Sequence, residues 1–235
     1  RDMCRTAVTL LILITCTRIL GAEDEPTELV LYTALRPANW DVFLIEAPGN
    51  PPKRLTSDPA LDYNPVVSPD GHWLVFCSER RGDPDLFVMD LENPGSPRLL
   101  IDSKSMEDSP TFSPDQGTLV FVSTHDGNAD VFRIEFSPQE TMDLSAAENL
   151  TRNVRGDFNP AISPDGQTIA FSSDRDAYKA SDIYLLDVNG SEVKRLTHSP
   201  GWDGSPAWSA DGKVIYFYSE RDGKPRIYSM DANGG

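Results

Sequence analysis

Four acidic residues recur along the chain at nearly equal spacing, and they are the side chains with the clearest potential for binding chemistry. Each lies three residues ahead of a proline, and the set consists of Asp62, Glu107, Asp157 and Asp203. Gathered in a ring, such carboxylates would attract a cationic group, such as a peptide amine, a lysine side chain or a metal ion. The alternative, which the regular repetition favours, is a scaffolding role in which they accept hydrogen bonds from backbone amides beside a strand start.

Aromatic side chains accompany these carboxylates. Tyr63 and Phe158 each directly follow one of them, and Trp202 directly precedes Asp203. Exposed aromatic residues of this kind contact a peptide or a sugar in some proteins, although packing against a neighbouring loop is their commoner fate. Trp202 is the residue for which we most expect a ligand contact.

A second polar column falls in turns between predicted strands. Its members are Arg36, Arg80, His125, Arg175 and Arg221, and the acidic residues that oppose them are Asp41, Asp85, Asp130 and Asp182. Arginine and aspartate on either side of a short turn predict structural ion pairs rather than a binding site. In the last copy, Arg226 takes the acidic position.

Motifs that carry catalysis are missing from the sequence. It contains no Gly-x-Ser-x-Gly nucleophile elbow, no His-Glu-x-x-His zinc helix, no phosphate-binding loop and no dinucleotide-binding fingerprint. His72, His125 and His198 fall at unequal positions, which argues against a three-histidine metal site. We therefore expect no enzymatic activity, no cofactor and no bound metal.

The elements that must position these residues come from an internal repeat of about 45 residues. Five segments join an apolar strand, a polar turn and a second strand, as in a β-hairpin: 29–46, 73–90, 118–135, 168–187 and 214–231. Their aromatic anchors are 44, 45, 50 and 46 residues apart, at Tyr32, Phe76, Phe121, Phe171 and Phe217. A strand ending in a Ser-Pro-Asp-Gly-type turn precedes four hairpins, and a brief strand follows four. The unit is a four-stranded antiparallel blade, so the sequence predicts an all-β fold, a β-propeller.

The Ser-Pro-Asp-Gly turn, the apolar strand behind it, Ser-x-Arg-x-Gly and Asp-Ile/Leu-Tyr/Phe together resemble the repeat of the TolB-like bacterial β-propeller family. The resemblance covers residues 29–231 and implies the propeller fold. Similar blades form the propeller of prolyl-oligopeptidase-like proteins, so the resemblance does not decide the function.

The two ends of the repeat array predict an incomplete ring of five or six blades. The first hairpin has no recognisable inner strand, and the outer strand of the fifth blade would begin near residue 233. At about 45 residues per blade, the chain would be truncated by about 25 residues for a five-bladed ring and by about 70 for a six-bladed one.

Residues 1–22 have the layout of a secretory signal peptide, with a basic start, an apolar run around 10–14 and small residues ending at Ala22. The apolar run, of roughly 12 residues, is too short to span a bilayer. Cleavage after Ala22 would leave residues 23–235 as the propeller domain, with Cys77 as its single cysteine. We expect a periplasmic or secreted protein.

The charge balance limits the partners. The chain has 37 acidic against 21 basic residues, a net charge of -16, which argues against nucleic acid and against an anionic membrane surface as partners. We expect a monomeric, non-enzymatic binding module for a protein or peptide of the cell envelope, with a cationic group as one possible feature of that partner. The alternative is the N-terminal propeller of a prolyl-oligopeptidase-like serine peptidase whose hydrolase domain is missing from this sequence.

Overall fold

The computed structural model describes residues 14–19, 27–36, 39–176 and 180–234. It confirms the predicted fold class, because five antiparallel sheets are arranged as the blades of a five-bladed β-propeller. The start of the predicted signal peptide and its cleavage site after Ala22 lie outside the described residues, and the boundary between leader and propeller stays a prediction. Within the described residues, no helix is long and apolar enough to cross a membrane.

Each blade pairs its strands in chain order, from an inner to an outer strand. Blade 1 consists of β1 (Ile14–Ile19), β2 (Thr27–Arg36), β3 (Asn39–Ile45) and β4 (Lys53–Arg54). Blade 2 consists of β5 (Asp62–Val67), β6 (Trp73–Ser78), β7 (Asp85–Asp90) and β8 (Arg98–Leu99). A short strand, β9 (Ile101–Asp102), follows it.

The remaining blades follow the same plan. Blade 3 begins with β10 (Glu107–Phe112), β11 (Thr118–Ser123) and β12 (Asp130–Glu135). After β13 (Met142–Asp143), which pairs in parallel with β9, and a 3₁₀ turn at Leu144–Ala146, β14 (Glu148–Asn149) completes the blade. Blade 4 consists of β15 (Asp157–Ile162), β16 (Thr168–Ser173), β17 (Asp182–Asp187) and β18 (Val193–Arg195). Blade 5 consists of β19 (Asp203–Trp208), β20 (Val214–Ser219) and β21 (Arg226–Asp231).

The central hairpin of each blade is held by an aromatic pair across its two strands. Phe76 and Phe87 lie opposite each other on β6 and β7, with ring centroids 6.2 Å apart. Side chains on the other face of the same hairpin, such as Val75 and Leu86, are fully buried in a cluster shared with blade 3. Because strand side chains alternate between faces, the hairpins of blades 2, 3 and 4 each pack against both neighbouring blades. The core therefore lies between blades, in successive apolar layers.

The inner strands end in the predicted tight turns, which lie at what we call the lower face. In blade 4 the Ser163 hydroxyl donates to Asp165 Oδ1 at 2.6 Å, and the backbone amide of Thr168 donates to the same hydroxyl at 3.0 Å. Gly166 has φ +73°, a conformation that favours glycine and closes the turn into the next strand. The hydrogen bond from Ser163 and one from the backbone amide of Gln167 lower the pKa of Asp165.

The inner strands of blades 2 to 5 carry a bulge just before their proline. The residue there is in the left-handed region, with φ of 49°, 51°, 50° and 50° at Asn64, Ser109, Asn159 and Ser205. The pairing register with the second strand shifts at the same point in all four blades. In blade 2 the bulge also joins two blades, because Asn64 Nδ2 donates to Asp108 Oδ1 of blade 3 at 2.7 Å.

Blade 1 differs from the sequence-based expectation. The first hairpin was expected to lack an inner strand, but Ile14–Ile19, within the segment predicted as a signal peptide, pairs antiparallel with β2. The segment is rich in isoleucine and threonine, which favour strands as well as an apolar leader. This stretch therefore fits a strand as well as the later part of a leader.

Blade 5 has three strands among the described residues, and one of its faces is uncovered. Tyr216 and Ile227 on that face are 46% and 73% exposed, whereas the equivalent Val75 and Leu86 of blade 2 are fully buried beneath blade 3.

Candidate functional site

The four predicted carboxylates lie at the starts of the inner strands, at the end of the propeller that we call the upper face. The register places each opposite the last serine of the second strand, as Asp62 opposite Ser78 and Asp157 opposite Ser173. The hairpin turns that follow those serines therefore belong to the same face. All four carboxylates, Asp62, Glu107, Asp157 and Asp203, are fully buried.

Three of the carboxylates are bound by an arginine from the hairpin turn of their own blade. Arg175 Nη2 donates to Asp157 Oδ1 and Oδ2 at 2.9 and 3.0 Å, and its guanidinium carbon lies 5.0 Å from the ring centroids of both Phe171 and Tyr184. Its Nε donates to Ser173 Oγ at 3.0 Å. The cation thus has a carboxylate beside it and two aromatic rings against its plane.

The same arrangement recurs in blades 2 and 5. Arg80 Nη2 lies 2.9 Å from Asp62 Oδ1, and Arg221 Nη2 lies 3.2 Å from Asp203 Oδ2. For Arg80 and Arg175 the sequence predicted ion pairs with Asp85 and Asp182 across the turn, and that pairing is wrong. Each arginine folds back over the aromatic pair of its hairpin and reaches the inner strand instead.

The aspartates that begin the third strands are bound mostly by the outer strand. Asp182 Oδ2 lies 2.5 Å from Arg195 Nη2, and its Oδ1 accepts from Thr197 at 3.1 Å. Asp41 pairs in the same way with Arg54 at 2.7 Å. Both polar columns therefore tie strands of one blade together. Of Arg36, whose place is in this column, the structure describes the backbone alone.

Blade 3 carries glutamate and histidine where the other blades carry aspartate and arginine. Glu107 Oε1 accepts from the hydroxyls of Ser103 and Ser123 at 2.7 and 3.1 Å. His125 places its ring edge-on to Phe132, with centroids 6.5 Å apart. Burial raises the pKa of Glu107 to about 7, and the two serine hydroxyls oppose that shift only in part.

Apolar side chains are exposed at, or directly before, the starts of three of the inner strands. Trp202 is 48% exposed, Met106 45% and Phe158 39%, while Tyr63 at the position of Phe158 in blade 2 is half-buried. Sequence reasoning singled out the aromatic residues but missed Met106. The signal that would have found it is its position, directly before a ring carboxylate, which matches that of Trp202.

The loop that carries Trp202 is fixed by backbone contacts. The Trp202 carbonyl accepts from the amide of Glu220 at 2.9 Å, and Gly201 lies so close to the same segment that a Cβ there would be 2.8 Å from the Glu220 carbonyl carbon. An exposed indole on a rigid loop is a typical binding feature, because little conformational entropy is lost on contact.

No group of three or more metal-ligating side chains is gathered in the part of the chain that the structure describes. A cleft of about 440 Å³ lies between blades 4 and 5 at the lower face, where Trp208 and Leu185 form apolar walls beside Asp165 and Asp211. It is separate from the predicted site residues, which lie at the opposite end of the inner strands.

The fold and this face define a β-propeller of repeated blades with an apolar and acidic loop surface at one end. A model of the family described as TolB beta propeller domain matches residues 145–235. The blades in this segment therefore resemble those of TolB, as the sequence motifs implied.

Comparison with known proteins supports the same assignment. The Tol-Pal system protein TolB of Desulfosudis oleivorans is 37% identical over 57 residues, which is 24% of this chain and 13% of that protein. The chain thus matches a small part of its curated relative's length. The crystal structure of TolB from Acinetobacter baumannii superposes with a TM-score of 0.73 at 20% identity, covering 95% of this chain and 67% of that one.

Enzymes share this fold as well. A puromycin-hydrolyzing peptidase of Mycobacterium tuberculosis superposes with a TM-score of 0.65 at 17% identity, covering 94% of this chain and 37% of the peptidase. At such identities the likeness concerns the fold alone.

Proposed function

We propose that this chain is an exported, non-enzymatic binding module that takes up a protein or peptide of the cell envelope at its upper face. The observation that carries the proposal is the exposure of Met106, Phe158 and Trp202 beside the inner-strand starts of one face. Export rests on the predicted signal peptide, whose cleavage after Ala22 would remove β1 from blade 1, and the envelope setting rests on the similarity to TolB.

The buried carboxylates lie beneath the exposed side chains of the upper face. Because Asp62, Asp157 and Asp203 are each paired with an arginine, their charge is largely neutralised, and we propose that they act by holding the loops. Any direct contact of Asp62, Glu107, Asp157 or Asp203 with a ligand remains a prediction. A loop whose base is fixed in this way presents its side chains with little loss of entropy on binding.

The charge that a partner would meet comes from exposed residues at the same face. The tips of the hairpin turns carry Asp83, Asp126 and Asp222, all exposed, and Asp108 lies partly exposed beside the inner strand of blade 3. With a net charge of -16 on the chain, this surface favours a partner that combines an apolar side chain with a lysine, arginine or terminal amine.

Peptide display tests the proposal. A random peptide library would be selected on the immobilised wild-type protein, on Trp202→Ala and on Tyr216→Ala, the last being a control because Tyr216 is 46% exposed but belongs to the uncovered face of blade 5. We expect enrichment of peptides with an apolar residue near a basic one on the wild type and on Tyr216→Ala, and its loss on Trp202→Ala. Equal enrichment on all three proteins, or none on any, would contradict the proposal.

The alternative is the propeller of a serine peptidase, which the likeness to the puromycin-hydrolyzing peptidase favours. Reading the gene beyond Gly235 separates the two functions. A further domain with a Gly-x-Ser-x-Gly elbow would support the peptidase, and further blades followed by a stop would support the binding module.

A further inference from the structure

Blade 3 lacks the cation that the other blades place beside the ring carboxylate. In blades 2, 4 and 5 an arginine follows the last serine of the second strand by two residues and binds the carboxylate. In blade 3 that position is His125, whose ring lies against Phe132 and forms no ion pair with Glu107 among the described contacts. Glu107 is nevertheless as buried as its three counterparts.

The carboxyl of Glu107 is bound on one side only. Its Oε1 accepts from Ser103 and Ser123, whereas its Oε2 is buried and has no hydrogen-bond partner within the described residues. In Asp62 and Asp203 one oxygen is also unpartnered, but there the other oxygen holds a guanidinium. A buried carboxylate without a cation is costly to keep ionised.

The charged groups packed around Glu107 offer it little compensation. Arg81, from the hairpin turn of blade 2, already pairs with Asp102 at 3.2 Å and lies 3.7 Å from Asp85. Asp85 itself raises the proton affinity of Glu107, and Arg81 lowers it. On β6 the thiol of Cys77, kept neutral by burial, donates to the Glu107 carbonyl at 3.5 Å.

Blade 2 also lacks the hydroxyl that supports the third-strand aspartate elsewhere. Thr151 and Thr197, which follow the outer strands of blades 3 and 4, contact Asp130 and Asp182, whereas the residue at this position in blade 2 is the buried Leu100. The junction of blades 2 and 3 therefore gathers Asp85, Asp102 and Glu107 around one arginine.

We propose that Glu107 is a proton-operated latch: in its neutral form it holds the loop 103–106 closed on the upper face, and its ionisation loosens that loop. The connection is direct, because the Ser103 hydroxyl that donates to Glu107 also accepts from the amide of Ser105. Ionised Glu107 would need a water molecule at Oε2. Opening this loop, which carries the exposed Met106, would let water reach that oxygen. The proposal does not depend on the binding role of the face.

The elevated pKa of Glu107, about 7 against an ordinary 4.5, sets the window. Because the folded protein holds this proton more tightly than the unfolded chain, stability falls as pH rises from about 4.5 to about 7. From pH 6 to pH 8 the group alone would increase the unfolding equilibrium constant by about tenfold.

Three proteins test the latch: the wild type, Glu107→Gln as a mimic of the neutral form, and Glu107→Asp/His125→Arg, which restores the pair found in the other blades. Urea unfolding at pH 6 and pH 8 measures the unfolding equilibrium constant. From pH 6 to pH 8 it should rise about tenfold more in the wild type than in either variant. Hydrogen exchange, corrected for intrinsic rates, should show residues 103–106 opening at pH 8 in the wild type and staying protected in Glu107→Gln.

The same pH dependence in the wild type and Glu107→Gln would overturn the proposal. A pH-dependent stability with unchanged hydrogen exchange in residues 103–106 would also overturn it, because the carboxyl would then titrate without moving the loop. If the variants fail to fold, carbon-13 NMR of glutamate-labelled wild type measures the titration directly. A buried glutamate that titrates near 7 supports the latch, and titration of every glutamate below about 5 excludes it.

Discussion

Replacing Arg175 by methionine would leave a buried carboxylate of the upper face unpaired, and the loss of free energy of unfolding would measure the effect. The Arg175 and Asp157 side chains are 12% and 0% exposed, so solvent screens their interaction little. Removing one partner of such a pair costs about 3–5 kcal/mol. Methionine keeps most of the apolar stem against Phe171 and Tyr184, so the loss reports mainly the missing charge.

Urea unfolding at pH 7 measures the change, with Glu148→Gln as the matched control. Glu148 pairs with Arg133 at 2.7 Å, but its side chain is 48% exposed, so we expect a loss under about 1 kcal/mol there. The deficit of Arg175→Met should shrink as pH falls, because Asp157 can then be protonated. A loss under about 1 kcal/mol at pH 7, similar to the control, would refute the view that the buried pairs hold this face.

Three further changes test separate features. Gly201→Ala should lower the free energy of unfolding by about 1–3 kcal/mol, because its Cβ would overlap the backbone at Glu220; unchanged urea unfolding would contradict this close approach. The thiol of Cys77, buried and with its pKa raised, should resist iodoacetamide at pH 8 in the folded protein and react in urea, as peptide mass spectrometry would show; rapid native alkylation would show that the strand opens. Asp165→Ala should cost under about 1 kcal/mol at neutral pH because the turn is exposed, and the difference in melting temperature should vanish as acid protonates Asp165, whose pKa is lowered; a difference that persists in acid would show that its carboxylate is not the stabilising form.

The repeat predicted the hairpins almost to the residue. The segment 73–90 forms β6 and β7, and the aromatic anchor Phe76 pairs with Phe87 as an alternating pattern requires. This success has a local cause, because turn chemistry and strand alternation are both encoded within about 20 residues of the chain.

The partners of the polar columns could not be derived in the same way. Asp85 is five residues from Arg80 in sequence, but Asp62, eighteen residues away, is the partner in space. Nothing in a linear pattern shows that the guanidinium folds back over two rings. Burial of the ring carboxylates was equally hidden, since aspartate is usually exposed.

The uncovered face of blade 5 shows what one more neighbouring blade would contribute. In repeat proteins each unit is stabilised by its own fold and by the contact with its immediate neighbours. Blade 5 shares a buried cluster with blade 4, while Tyr216 and Ile227 on its other side remain in water. A further unit packed on that face would bury both side chains, as blade 3 buries Val75 and Leu86 of blade 2. An edge of that kind can gain or lose one duplicated unit during evolution without redesign of the others, which offers a physical route between propellers of different blade number.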